Sequence, residues 1–301
     1  MEANEQTQGG ADSERARETS RMVARARARF AEREKAAIEN RTPITPPVVF
    51  EVIRRAGEQE LVRPASALVA SGLAAGLAIG FSVLAQALLR AHLPEADWRP
   101  LVESVGYAAG FVIVILGQMQ LFTENTITVV CPALERPFAE VYRGVARLWS
   151  LVLAANLAGA CAFGVALYLT RGTQPEVWQA VAALATKATA YGFWEVLWRG
   201  IGAGWLIAAM VWIMATAGRA QFALIVTMTT LIALADFSHI VAGATEAAAL
   251  VAAGELGVGA GLGGFLLPAL IGNILGGTVL FTLLTWAQIR AELPLDPDAE
   301  T

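Results

Sequence analysis

Apolar residues in this chain do not alternate with polar ones; they run on. Residues 64–89, 104–123, 148–170, 200–218 and 256–289 contain no Asp, Glu, Lys or Arg. A helix needs about 20 mainly apolar residues to cross a bilayer, so each run predicts a span. A sixth apolar stretch, roughly 220–253, is interrupted by Asp236, His239 and Glu246. The pattern predicts an all-α integral membrane protein with six transmembrane helices.

Two apolar stretches carry polar residues in their interiors, QLFTENT at 120–126 and ADFSHIV at 235–241. Ionisable residues inside spans are expensive and usually face a cavity or a partner. Irregular backbone at membrane depth is tolerated only where protein buries it or water reaches it. Thr123–Asn125 and Asp236–His239 are therefore expected to break spans 2 and 5.

The two halves also match each other. Gly72/Gly76 in span 1 corresponds to Gly200/Gly204 in span 4, both GxxxG patterns that let helices approach closely. Phe122-Thr123-Glu124 corresponds to Phe237-Ser238-His239. Asn156-Leu157-Ala158-Gly159 corresponds to Asn273-Ile274-Leu275-Gly276. An odd number of spans per half forces the second half to insert upside down. Inverted repeats of this kind bring broken helices together near the membrane midplane. One permeation pathway per chain follows from that geometry.

Charge refines the layout. Residues 1–63 hold twelve of the 22 basic residues and eleven acids. Arg17, Arg21, Arg25, Arg29 and Arg33 recur every four residues and predict a basic helical stripe in a tail spanning 1–47. That stripe is either a solvated helix or a contact with anionic lipid headgroups; the near-balance of acids argues against nucleic acid. Residues 48–290 form the expected transporter domain and 291–301 a C-terminal tail. Val49, Phe50, Ile53 and Ala56 predict an amphipathic helix lying on the membrane surface. Lys and Arg flanking the spans are biased toward the N-terminal side, which predicts cytoplasmic N- and C-termini. Cys131 and Cys161 form no disulfide or metal pattern. No nucleophile–base pair, nucleotide loop or metal cluster is visible, so neither a cofactor nor an enzyme activity is expected.

The chain from about Pro43 to Trp286 resembles the formate/nitrite transporter family. The resemblance rests on Leu121-Phe122-Thr123, on His239, and on Gly272-Asn273-Ile274-Leu275-Gly276-Gly277, with weaker matches at Ala75-Gly76, Lys187 and Ala209 to Trp212. It implies an aquaporin-like fold with helices 2 and 5 broken, a homopentamer with one pore per protomer, and conduction of small weak-acid monoanions across a bacterial inner membrane. The family pattern usually places Glu before the histidine and Ala-Asn after it; here Ser238 precedes His239 and Ala242-Gly243 follows. Asn is common in the family where Gly204 stands, and Glu124 is not typical of it.

These residues define the expected pathway. His239 titrates near neutral pH in its ordinary state and can hand a proton or hydrogen bond to a permeating anion; otherwise it is a neutral histidine satisfied inside the bundle. Thr123 offers a hydroxyl to the solute or to a helix end. Leu121 and Phe122 form an apolar collar, and Tyr107 or Phe111 a second constriction. Lys187 attracts anions to one vestibule or snorkels to headgroups. Asn156 and Asn273 hold the open backbone of the breaks. Glu124 either repels anions or pairs with His239. The leading expectation is a channel or proton-coupled transporter for formate- or nitrite-like anions. A pore for a small neutral solute and a non-conducting membrane scaffold are the alternatives.

Overall fold

The computed structural model describes residues 44–291; the Arg-rich helix expected in the N-terminal tail, and all but Ala291 of the C-terminal tail, lie outside them. Helices are the only regular secondary structure among the described residues, with no strand. In chain order the helices are α1 (Pro46–Leu61), α2 (Ala65–His92), α3 (Arg99–Gly106), α4 (Ala108–Leu116), α5 (Phe122–Thr128), α6 (Val130–Glu135) and α7 (Ala139–Leu169). The second half continues with α8 (Pro175–Thr189), α9 (Phe193–Ala217), α10 (Gln221–Leu234), α11 (Ile240–Ala253), α12 (Leu267–Ile274) and α13 (Leu283–Ile289). Two stretches of wider π-helical turn, Ala260–Leu266 and Leu275–Thr282, run continuously into α12 and α13.

Among the described residues, five helical stretches are long and apolar enough to cross a membrane: Ala65–His92, Arg99–Leu116, Ala139–Leu169, Phe193–Leu234 and Ala260–Ile289. The fourth has 42 residues and turns at Gly218, whose φ of +50° is left-handed backbone that glycine adopts freely. It therefore comprises α9 and the first half of a broken element, α10. Ile240–Ala253 is a shorter apolar helix that completes that element.

Each half is held by one close helix crossing. α2 packs on α7, and α9 packs on α12 with the π-helical turn beyond it. The crossings are close because glycines stand at them. A Cβ on Gly76 would collide with the carbonyl oxygen of Asn156, and one on Gly204 with that of Asn273. Those contacts are equivalent in the two halves, as the shared GxxxG pattern requires.

The breaks fall at 117–121 and 235–239. The second agrees with the sequence expectation. The first lies earlier than expected, and Thr123–Asn125 are instead helical, in the first turn of α5. The repeat register is also different: matching Phe122-Thr123-Glu124 to Phe237-Ser238-His239 is three residues out. Gln118 and Asp236 both have positive φ, +50° and +53°. The amides of Gly117, Gln118 and Met119 donate to the carbonyls of Ile113, Ile115 and Val114. Those of Ala235, Asp236 and Phe237 donate to Leu231, Ala233 and Ile232. Phe122 therefore corresponds to Ile240, and Leu121 to His239. Side-chain similarity misled because the equivalence lies in the backbone turn, where the two halves share no residue types.

α1 turns one apolar face toward the bundle, with Val49, Phe50 and Ile53 on it as expected. It buries Val49, Phe50, Ile53, Arg54 and Gly57 and joins a cluster with Ile127, Cys131, Ala208 and Ile289. Ala56 is exposed instead. Arg54 locks this helix down, with its guanidinium 2.7 Å from both Glu51 and Glu135 and 2.6 Å from Glu58. The Arg54 hydrogen bond is the largest influence on Glu51 and holds its carboxyl down at about 2, whereas burial pushes Glu135 above the usual carboxylate range.

Candidate functional site

The two breaks would expose backbone polar groups where no water satisfies them, and two asparagines close them. Asn156 Oδ1 accepts from the Phe122 amide at 2.8 Å, while its Nδ2 donates to the carbonyls of Gly72 (2.7 Å) and Gln120 (2.8 Å). Asn273 Oδ1 accepts from the Ile240 amide at 2.9 Å, while its Nδ2 donates to Gly200 (2.9 Å) and Ser238 (2.8 Å). Both asparagines are fully buried. Each pins the tip of a half-helix to the helix crossing of its own half.

So fixed, the tips meet. Thr123 Oγ1, in the first turn of α5, lies 2.9 Å from His239 Nε2, at the N-cap of α11. The Ala242 amide donates to His239 Nδ1 at 3.3 Å. The neutral ring therefore carries its proton on Nε2 and donates it to Thr123, leaving the threonine hydroxyl proton free for another acceptor. Phe111 packs edge-on to the imidazole, centroids 5.0 Å apart. Leu121, Thr123, Phe111 and His239 are all nearly inaccessible, so the contact is a constriction between two cavities.

On one side lies a cavity of about 60 Å³ lined by Gln86, Tyr107, Lys187, Asp236, Ser238 and Glu246, together with His239. On the other a wider cavity, about 610 Å³, is lined by Glu60, Arg63, Gln118, Leu121, Glu124 and Asn125 among others. α5 runs from the contact along the wide cavity and α11 along the narrow one. The narrow side carries an ion pair, Lys187 Nζ to Asp236 at 2.7 Å. The wide side carries another, Arg63 to Glu60 at 3.0 Å, with Gln120 Nε2 donating to the same Glu60 at 2.7 Å.

The sequence-predicted residues thus separate into groups. Thr123 and His239 touch. Tyr107, Lys187 and Ser238 share the narrow cavity with His239, and Leu121 and Glu124 line the wide one. Phe122 lines neither; its ring packs on Trp149, centroids 5.6 Å apart. Asn156 and Asn273 serve the backbone. Glu124 does not meet His239, whose ring nitrogens are taken by Thr123 and Ala242. Three residues went unassigned from sequence: Gln86, Asp236 as the partner of Lys187, and Glu246. The signal for Glu246 was its spacing, seven residues from His239, which is two helical turns on one face.

A family model described as formate/nitrite transporter matches residues 47–287. The chain is 39% identical over 262 residues to the inner membrane protein YfdC of Escherichia coli (strain K12), covering 87% of this chain and 84% of that protein. It is 28% identical over 248 residues to the uncharacterized transporter YrhG of Bacillus subtilis (strain 168), covering 79% and 91% respectively. Among solved structures, the fold matches an FNT family ion channel with a TM-score of 0.67 at 21% identity, over 80% of this chain and 96% of that one. It also matches a pentameric formate channel with formate bound, with a TM-score of 0.63 at 17% identity, over 79% and 99%.

Proposed function

The chain belongs to the formate/nitrite transporter family, and from that premise we propose that it conducts small weak-acid monoanions of the formate and nitrite kind, coupled to protons through His239. The reading rests on the 2.9 Å contact of Thr123 with His239, with a cavity on either side. A bare anion is costly to carry across a dry constriction. A ring that donates to Thr123 frees that hydroxyl to donate to an anion, and an imidazolium would supply a proton so that the neutral acid crosses. Support for a homopentamer, one pore per protomer, comes from the pentameric formate channel of the same fold.

The transporter domain spans 48–290, reads as six spans in two inverted repeats, and sits among the lipids of a bacterial inner membrane with both termini cytoplasmic. That location is supported by the inner-membrane relative and by the Lys/Arg bias. A pore for a small neutral solute is the second reading, favoured by Glu124 in the wide cavity and Glu246 in the narrow one, each beside a further carboxylate. Stopped-flow flux of formate, nitrite, hydrosulfide and glycerol into proteoliposomes separates the two. Monoanion flux that collapses in His239→Ala supports the first. Glycerol flux without monoanion flux supports the second.

A further inference from the structure

The narrow cavity holds more polar groups than its fold requires. Tyr107 and Ser238 are 6% and 7% exposed and Gln86 9%, and all three line it beside Glu246. None of these four side chains has a hydrogen-bond or ion-pair partner among the described residues, whereas the neighbouring asparagine and histidine are fully satisfied. Buried polar side chains left open onto a cavity mark a place where something else completes them. A cavity of about 60 Å³ is several times the roughly 10–15 Å³ that one ordered water needs and has room for one solute of a few heavy atoms.

The charges around it select the form of that solute. Lys187 from α8 faces the cavity, but its ammonium is already 2.7 Å from Asp236. Asp236 and His239 come from the break between α10 and α11, Tyr107 from the α3–α4 junction, and Glu246 from α11 itself. α2 contributes only Gln86, and the π-helical turn before α12 only Phe265. A monoanion arriving here meets a second carboxylate, Glu246, and among the described residues lining the cavity the one Lys or Arg is Lys187, already paired with Asp236. Two carboxylates at contact distance do not both stay ionised; they share one proton.

We propose that this cavity is a binding site for the permeating weak acid together with its proton, with Glu246 and the solute's anionic oxygen sharing that proton and Tyr107, Ser238 and Gln86 completing the solute's other hydrogen bonds. The site rests on the transport reading above and narrows it: the species admitted from the Lys187 side is the weak acid with its proton, and the bare anion is rejected.

The test is radiolabelled formate uptake by the full chain in proteoliposomes, with protein-free liposomes subtracted. At fixed, subsaturating total formate, the wild-type rate should fall about tenfold per pH unit between about pH 6 and about pH 8, as the protonated fraction does. Glu246→Gln donates N–H to a bare anion and shares no proton; its rate should fall less than about threefold per unit over the same range. Tyr107→Phe and Ser238→Ala should each lower the rate several-fold and keep the wild-type slope. A flat wild-type profile, or a Glu246→Gln slope equal to wild type, overturns the proposal and leaves transport standing. A wild type that moves no formate, nitrite or hydrosulfide at any pH removes the transport reading, and this site with it.

Discussion

Asn273→Leu keeps the length of the side chain and deletes every polar atom from it. In the wild type that side chain accepts from the Ile240 amide and donates to the carbonyls of Ser238 and Gly200. The Gly200 carbonyl lies inside α9 and has a helical partner. The Ile240 amide opens α11 and the Ser238 carbonyl sits in the break, so both become orphans. Each orphaned buried group costs about 1–3 kcal/mol, and the pair roughly 2–6 kcal/mol. That is a large share of a typical total stability of about 5–15 kcal/mol. Unfolding of the purified protein by SDS in mixed micelles, followed by tryptophan fluorescence, measures it. Asn156→Leu should give a loss within about 1 kcal/mol of the same size, because it strands the Phe122 amide and the Gln120 carbonyl in the equivalent break. A loss below about 0.5 kcal/mol in either variant, the size of an ordinary surface change, would refute the claim that these asparagines hold the breaks open.

Thr123→Val preserves shape and removes the acceptor of His239 Nε2; monoanion flux should fall at least about tenfold, the equivalent of one 1.4 kcal/mol interaction, and unchanged flux would separate the contact from transport. Gly204→Ala drives a methyl into the Asn273 carbonyl and should destabilise by about 1–3 kcal/mol as an overpacked site, read in the same SDS titration. Arg54→Ala leaves Glu51, Glu58 and Glu135 without their shared partner, so amide exchange across residues 46–61 should quicken by an order of magnitude or more. In the wild type the Glu51 carboxyl is held down at about 2. Its contribution is therefore complete above the ordinary carboxylate pKa of about 4.3 and is lost as pH falls toward the native value; the acid-side loosening of α1 should be smaller in Arg54→Ala.

The membrane class, the internal repeat and the neighbourhood of both breaks were legible in the chain. Hydrocarbon thickness fixes the length of an uncharged run, and a polar insertion inside such a run stands out against it. The pairing of Gly76 with Asn156, and of Gly204 with Asn273, was half legible, since small residues and lone amides in apolar helices have few roles. Tertiary structure decided the rest. Leu121 corresponds to His239 because both close the same backbone turn, and turn geometry leaves no trace in side-chain similarity. Thr123 reaches His239 only because two remote asparagines aim the half-helices at each other. Glu246 joins Tyr107, Gln86 and Ser238 from separate elements, and α1 is fastened to the bundle through Arg54 and a carboxylate on α6. Sequence periodicity describes one helix at a time; which faces confront each other is set by crossings that join residues 84 and 73 positions apart.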